Sequence, residues 1–188
     1  MTATQHFQKI SRYTPLFNAL WVTVLLCVIG GSLFIQFVIG DLPCRLCMWQ
    51  RMSMMLIVAV LLVNLRFGQN MRNYGIILII AVFGASVSIR QILSYIAPGS
   101  PGYGPAVFGL HTYTWALLVF VCSILASAVM LILNSTPKDG GTEPLPEPVV
   151  KGLIGVTMAV ALTLSVATFF QCGLDVCPGA REYLYGSH

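Results

Sequence analysis

The stretch DLPCRLCMWQR, residues 41–51, separates the first long apolar run of the chain from the second. The second run, residues 52–65, is too short to cross a bilayer alone, because a transmembrane helix needs about 20 mostly apolar residues. It becomes long enough if the helix begins near Pro43, since a proline loses no hydrogen bond in the first helical turn. The stretch therefore predicts a spanning helix with Cys44 and Cys47 in its first turns.

The composition of the whole chain is that of a membrane protein. Of its 188 residues, 57% are hydrophobic and 9% are charged, whereas soluble domains carry about 25% charged residues. We predict an all-α polytopic protein, a single membrane domain over residues 1–188 with lipid as its solvent. The net charge of +4 is small and dispersed, so no nucleic-acid partner is expected. The predicted spans are residues 16–39, 44–65, 74–96, 112–133 and 149–170.

Lysine and arginine residues near the spans predict the orientation. Cytoplasmic loops carry an excess of these residues. Residues 134–148, rich in proline and glycine, are then a cytoplasmic linker, and residues 171–188 form an outer tail. We therefore expect a cytoplasmic N-terminus and an outer C-terminus. Six basic residues share the N-terminal side: Lys9, Arg12, Arg66, Arg72, Lys138 and Lys151. The other side has Arg45, Arg51 and Arg181, with Arg90 near it.

Four of the six cysteines lie in two local pairs at span edges, Cys44 with Cys47 and Cys172 with Cys177. The span count puts both pairs on the outer face, where an oxidising compartment favours paired cysteines. Two dithiols on one side of a membrane can exchange electrons with each other, so the arrangement predicts thiol–disulfide exchange. The remaining two, Cys27 and Cys122, lie deep inside apolar runs, and we interpret them as small buried apolar side chains.

The first pair has the spacing of a reactive dithiol. A Cys-x-x-Cys at a helix N-terminus lowers the pKa of one thiol, because the helix dipole stabilises a thiolate. Arg51, one turn after Cys47, could stabilise that thiolate or polarise the carbonyl of a ligand; it could also be only an interfacial anchor. The pair could instead form a purely structural disulfide, or bind a metal if His111 and the second pair supplied further ligands.

The second pair follows the last apolar run. Gly173 permits a turn and Pro178 stops further helix, so Cys172 and Cys177 can form a mobile disulfide that an outside thiolate attacks. The same pair could also form a static disulfide that pins the tail, or a metal site. Tyr183 and Tyr185 are interpreted as interfacial aromatic residues, and His188 as a terminal residue without a role.

The segment CRLCMWQR, residues 44–51, resembles the DsbB family of bacterial membrane disulfide oxidoreductases. That family has a Cys-x-x-Cys, three further residues and an arginine at the start of its second transmembrane helix. Two weaker similarities support the resemblance. Arg90 and Gln91 resemble an arginine-containing segment of the third helix, and GLHTYTW, residues 109–115, resembles the start of the fourth.

The resemblance implies a four-helix bundle in a bacterial inner membrane, to which this chain adds a fifth helix. It implies a periplasmic partner, a thioredoxin-like oxidase of the DsbA type, that is reoxidised, and a quinone (ubiquinone or menaquinone) that receives the electrons. Carried onto this chain, Cys47 contacts the quinone, Cys44 joins it in the disulfide, and Arg51 binds the quinone. Both cysteine pairs and the C-terminus are then periplasmic.

The chain departs from the family in its second cysteine pair. The family carries that pair in the outer loop between helices three and four, but residues 97–111 of this chain contain no cysteine. Cys172 and Cys177 are therefore assigned to the catalytic relay by their side of the membrane and their chemistry. Two competing functions stay open: a carrier that brings cytosolic reducing equivalents outward, and a metal-binding assembly factor that uses the outer cysteines.

Overall fold

The computed structural model describes residues 3–40, 44–96, 102, 104, 106–133 and 145–172, with side chains between residues 13 and 171. Five α-helices and one short hairpin make up this part of the chain. They are α1 (Ala3–Phe34), continued by a π-helical turn (Ile35–Ile39), α2 (Arg45–Phe67), α3 (Met71–Ser94), β1 (Ala106–Val107), β2 (Leu110–His111), α4 (Thr112–Leu133) and α5 (Glu147–Cys172).

All five helices are long and apolar enough to cross a membrane, with segments of 22 to 27 residues. The prediction of an all-α polytopic membrane protein is confirmed. The helix α2 begins at Arg45 with Cys44 as its N-cap. The linker residues 134–144 and the tail from residue 173 onward lie outside the described residues, whereas residues 171 and 172 still belong to α5.

The helices α1 to α4 pack in chain order, with α2 between α1 and α3, and with α4 mainly against α3. Their shared core contains fully buried aliphatic side chains such as Leu25, Ile57 and Leu61. The close approach of α3 to α4 depends on Gly84, because a Cβ atom there would overlap the ring of Phe120. The described core thus fixes how α2, α3 and α4 are placed around one another.

The bundle has two distinct ends. At one, called here the cysteine end, Cys44 packs with Tyr113 at the start of α4 and with Tyr95 after α3. The hairpin lies at this end, because β2 runs directly into α4. At the opposite end, Asn18 of α1 binds Gln69 in the turn between α2 and α3. Consecutive helices from α1 to α4 therefore run antiparallel.

The helix α5 packs on the outside of the bundle against α1 and α2. Its buried side chains within the described residues are Val150, Thr157 and Ala167. The prediction that Cys27 and Cys122 are buried is wrong, since both are exposed on the surface of the bundle. An apolar sequence cannot distinguish these cases, because lipid is as apolar as a core and a lipid-facing position accepts the same side chains.

Candidate functional site

The two sulfur atoms of the first cysteine pair lie 2.6 Å apart. Cys44 has the extended backbone of an N-cap, and its sulfur accepts a hydrogen bond from the backbone N–H of Cys47 at 3.3 Å. The helix start thus brings both side chains to one point, as the Cys-x-x-Cys spacing predicts. A disulfide needs sulfur atoms about 2.05 Å apart, so the pair can close with a small movement of the side chains.

The two thiols differ in their surroundings. Cys44 is buried, with 1% of its surface exposed, while Cys47 is half-buried and reaches a cavity. The side-chain hydrogen bond with Cys47, together with burial, raises the pKa of the Cys44 thiol. Backbone N–H groups at the helix start act in the opposite direction, but they are weaker. The Cys44 thiol therefore favours its protonated form, and Cys47 is the sulfur of the pair that faces the cavity.

A buried carboxamide from α3 contacts both sulfur atoms. Gln91 is fully buried, and its Nε2 donates to Cys44 Sγ at 3.4 Å and to Cys47 Sγ at 3.3 Å. Its oxygen accepts from Nε2 of Gln50, one residue before Arg51, at 3.0 Å. The structure thus joins α2 and α3 through a chain of two amides that ends on the cysteine pair.

Arg51 is fixed against α1 on the other side of the pair. Its Nη1 donates to Oε1 of Gln36 at 2.5 Å, and its Nη2 donates to the carbonyl oxygen of Ser32 at 3.1 Å. Gln36 is buried and belongs to the π-helical turn, which ends at Gly40 with a φ of 77°. Turns of this kind are frequent at functional sites. The guanidinium is thereby held one helical turn from Cys47.

A cavity of about 550 Å³ opens beside Cys47 and Arg51. It lies between α1, α2, α4 and the hairpin, and apolar side chains form most of its wall. Volumes of roughly 300–1,000 Å³ are usual for pockets that hold small ligands. The lining residues are Val28, Gly31, Ser32, Phe34, Ile35, Cys47, Gln50, Arg51, Met54, Val107, Phe108, Thr112, Trp115, Ala116 and Val119.

The hairpin forms one wall of this cavity. The indole nitrogen of Trp115 on α4 donates to the carbonyl oxygen of Val107 at 2.9 Å, which fastens the hairpin to the bundle. Phe108, at its turn, has a left-handed backbone with a φ of 51° and is 93% exposed. This side chain thus stands at the border between the cavity and the surroundings.

A stack of three rings lies at the cysteine end, and two of them, Tyr95 and Tyr113, pack against Cys44. Tyr95 stacks on Tyr113 with ring centroids 6.0 Å apart, and Tyr113 stacks on His111 at 5.2 Å. The Nδ1 atom of His111 lies 3.2 Å from the carbonyl oxygen of Gly104, so it is the protonated nitrogen of this contact. Across the described part of the chain, no three His, Cys, Asp or Glu side chains come together. His111 is placed as a packing partner of the aromatic stack.

The structure brings Cys44, Cys47 and Arg51 together, as the sequence suggests. Cys172 is the last residue of α5, and its side chain lies outside the described part of the chain, as does all of Cys177. Sequence reasoning overlooked the amides of Gln36 and Gln50, and it used Gln91 only for a family likeness. A signal was present, because polar residues within a membrane span usually face the bundle interior.

Comparisons with known proteins point to one family. A family model described as disulfide bond formation protein DsbB matches residues 14–101, which include Cys44, Cys47, Arg51 and Gln91. Disulfide bond formation protein C of Bacillus subtilis (strain 168) is 34% identical over 92 residues, 49% of this chain and 65% of that protein. Disulfide bond formation protein B 1 of Pseudomonas fluorescens (strain Pf0-1) is 30% identical over 145 residues, 59% of this chain and 85% of that protein. No solved structure matches this chain.

The two matches differ in extent, since the first spans a little under two thirds of its relative and the second most of it. Together with the family match they are sufficient for an assignment. The chain belongs to the DsbB family of disulfide bond formation proteins and is a multi-pass membrane oxidoreductase that acts on disulfides.

Proposed function

We propose that this DsbB-family protein is a protein-disulfide:quinone oxidoreductase that reoxidises a DsbA-like, thioredoxin-fold protein. In the net reaction, a protein dithiol and a quinone give a protein disulfide and a quinol, so two electrons and two protons pass from the dithiol to the quinone. One observation carries the proposal. Cys47 and Arg51 line the same apolar cavity, while the sulfur of Cys47 lies next to that of Cys44.

The cavity suits a quinone head group. Its volume is adequate for one or two fused rings, and its apolar wall suits both the ring and the start of a prenyl chain. The helices α1 and α4 make few contacts with each other, so the space between them is open to a lipid-soluble molecule. Arg51 supplies a fixed cation for a carbonyl oxygen on which negative charge develops. Ubiquinone and menaquinone both meet these requirements.

The chemistry begins with thiol–disulfide exchange at Cys44. A donor thiolate attacks the Cys44 sulfur, the Cys44–Cys47 disulfide breaks, and its electron pair stays on Cys47 at the cavity wall. The second donor thiol then attacks the donor sulfur of the mixed disulfide and gives its proton to Cys44, which leaves as a thiol. A quinone held by Arg51 and the cavity wall would take up two electrons and two protons, which would allow the Cys44–Cys47 disulfide to form again. Between the thiol exchange and the reoxidation, Arg51 stabilises the negative charge on Cys47.

Cys172 and Cys177 are proposed as the pair that passes electrons from the protein partner to Cys44. The helix α5, which ends at Cys172, packs against α1 and α2, and α2 carries Cys44 as its N-cap. A donor thiolate must pass the rings of Tyr95 and Tyr113 to reach Cys44. The competing role for this pair is a static disulfide that pins the tail.

The location proposed for the protein is a bacterial inner membrane, with a cytoplasmic N-terminus and with both cysteine pairs in the periplasm. The basic residues near the spans support this orientation. Labelling of the cysteines in intact cells with a membrane-impermeant maleimide, after reduction, tests it. Labelled Cys172 and Cys177 support the orientation, and labelling only after the membrane is opened overturns it.

The test of the function uses the full chain purified in lipid nanodiscs, a reduced thioredoxin-fold oxidase and a short-chain quinone. We expect quinol formation matched by an equal amount of disulfide in the oxidase. A protein that oxidises neither this oxidase nor a small dithiol in the presence of quinone overturns the proposal.

The role of the tail pair is tested with Cys172→Ala, Cys177→Ala and the double variant. If the pair is the relay, each single variant has lost the disulfide that the reduced oxidase attacks, so neither should oxidise the protein partner. The double variant still lets a small dithiol reduce quinone through Cys44 and Cys47. If both single variants oxidise the protein partner at the normal rate, the pair is structural.

A further inference from the structure

We propose that Gln91, oriented by Gln50, is a catalytic hydrogen-bond donor that stabilises the reduced form of the Cys44–Cys47 pair. The inference rests on the proposed function for its biological meaning. The hydrogen bonds themselves involve only the sulfur atoms and the two amides, so their effect is tested without quinone and without a protein partner.

The geometry places the nitrogen of one carboxamide against both sulfurs. The nitrogen of a glutamine side chain carries two donors and its oxygen only accepts. Gln91 Nε2 lies 3.4 Å from Cys44 Sγ and 3.3 Å from Cys47 Sγ, and the two sulfurs are 2.6 Å apart, so one N–H can be shared between both sulfurs. Gln91 is fully buried, and water therefore does not compete for this donor.

Gln50 determines which way the Gln91 amide faces. Its Nε2 donates to Gln91 Oε1 at 3.0 Å. If the Gln91 amide were reversed, two NH₂ groups would face each other and an acceptor oxygen would face two sulfur acceptors. Gln50 is also buried, with 5% exposed surface, and it lines the same cavity as Cys47. Gln50 is thus a positioning residue, which acts on the sulfurs only through Gln91.

The donor acts differently on the two redox states of the pair. A disulfide sulfur is a weak acceptor, whereas a thiolate is a strong one, and hydrogen bonds to charged groups are roughly twice as strong as neutral ones. Gln91 therefore stabilises the reduced pair more than the disulfide. Two electrons and one proton convert the disulfide into a thiol at Cys44 and a thiolate at Cys47, and the amide favours this conversion. The pair becomes a better acceptor of electrons from a donor dithiol.

Several titratable or charged side chains also stand near the sulfurs within the described residues. Arg45 and Arg51 belong to α2, Tyr95 follows α3, Tyr113 belongs to α4, and His111 lies in the hairpin. They are the same in every variant compared below. A change between variants therefore reports on the amide.

The experiment compares Gln91→Leu and Gln50→Leu with the wild-type chain and with Ser88→Ala. Ser88 is the matched control, because it is fully buried on the same helix and its hydroxyl donates to the carbonyl oxygen of Gly84 on that helix. Two quantities are measured on the full-length protein in nanodiscs. One is the equilibrium of the Cys44–Cys47 pair with glutathione buffers. The second is the pH dependence of alkylation at Cys47, which trypsin separates from Cys44 by cleavage at Arg45.

For Gln91→Leu we expect the pair to be about tenfold harder to reduce, since the lost hydrogen bond is one to a charged sulfur. The midpoint of Cys47 alkylation should move to higher pH. Gln50→Leu should shift both quantities in the same direction by a smaller factor, and Ser88→Ala should leave both unchanged. If the Gln91→Leu protein fails to insert into the membrane, the same two quantities are measured on Gln91→Asn. This variant keeps the amide but withdraws it from the sulfurs.

The proposal is overturned if the glutamine variants lose only thermal stability and keep the wild-type redox equilibrium and alkylation profile. It is also overturned if Ser88→Ala produces the same shifts, since the effect would then come from loosened packing of α3. A wild-type chain that does not reduce quinone would remove the proposed function but leave these two measurements valid. The two failures are therefore distinguishable.

Discussion

Both ends of the bundle bury a cluster of polar side chains, but the clusters differ in what their groups bind. At the cysteine end, Gln91 donates to two sulfur atoms, and Arg51 is held beside a cavity. At the opposite end, the Tyr74 hydroxyl binds Asn18 and Gln69. Buried polarity in a membrane protein is thus a weak sign of function by itself. It becomes informative where the hydrogen bonds end on a group that can react.

The opposite end shows what a structural cluster looks like. Asn64, near the end of α2, accepts hydrogen bonds from the backbone N–H of Asn70 at 3.3 Å and from Nδ2 of Asn73 at 2.6 Å. Asn70 in turn caps α3 through the N–H of Arg72. These bonds join α2 to α3 around a tight turn. We expect changes at this end to alter stability, and changes at the cysteine end to alter turnover.

The largest effect is expected for Cys47→Ser. The serine hydroxyl can neither form the disulfide nor donate electrons at neutral pH. Quinone reduction should therefore fall below detection, while membrane insertion is unchanged. Cys122→Ser is the matched control, because Cys122 is exposed on the bundle surface. Turnover is measured by the loss of quinone absorbance. Normal turnover of Cys47→Ser would show that the reactive sulfur lies elsewhere.

The second expectation concerns Arg51→Lys. An ammonium group cannot reproduce the planar fork that binds Gln36 and the Ser32 carbonyl at once. We expect the KM for quinone to rise about tenfold, equivalent to roughly 1.4 kcal/mol, with little change in thiol exchange. Steady-state kinetics with varied quinone measure the first quantity, and stopped-flow exchange with a small dithiol measures the second. An unchanged KM with slow exchange would reverse the role of Arg51.

A smaller effect is expected when the cavity is filled. Gly31 lines the cavity and Gly30 does not, yet a Cβ atom at either position would meet no neighbour within 4 Å. Gly31→Val should therefore raise the KM for quinone several-fold by occupying ligand space, while Gly30→Val should not. Both changes alter the same helix in the same way, so their difference isolates the cavity. Equal KM values for the two variants would place the quinone elsewhere.

The smallest effect is expected at the opposite end, with Tyr74→Phe. It removes the hydroxyl that binds Asn18 and Gln69. The free energy of unfolding should fall by about 0.6–1.7 kcal/mol, which are the average and the maximum for hydrogen bonds between membrane helices. The KM for quinone should stay at the wild-type value. Unfolding in mixed micelles measures the first quantity. A raised KM would mean that the two ends are coupled.

The sequence predicts the helices well because a lipid solvent leaves a strong hydropathy signal in each span. It also predicts that Cys44, Cys47 and Arg51 share a site, because all three lie within two turns of one helix. The contacts of Gln36 and Gln91 could not be predicted in the same way. They depend on the rotation of α1 and α3 about their axes, and that rotation is fixed by packing, such as the contact of Gly84 with Phe120.

The loose packing of α5 has a kinetic consequence. Its few buried side chains, Val150, Thr157 and Ala167, leave it mostly in lipid and add little to the cohesion of the bundle. In the proposed relay, however, α5 keeps the tail cysteines on the same molecule as Cys44. Exchange between the pairs is then governed by an effective local concentration, in the millimolar range for short flexible connections. The rate of this step should therefore not change when the protein is diluted in the membrane.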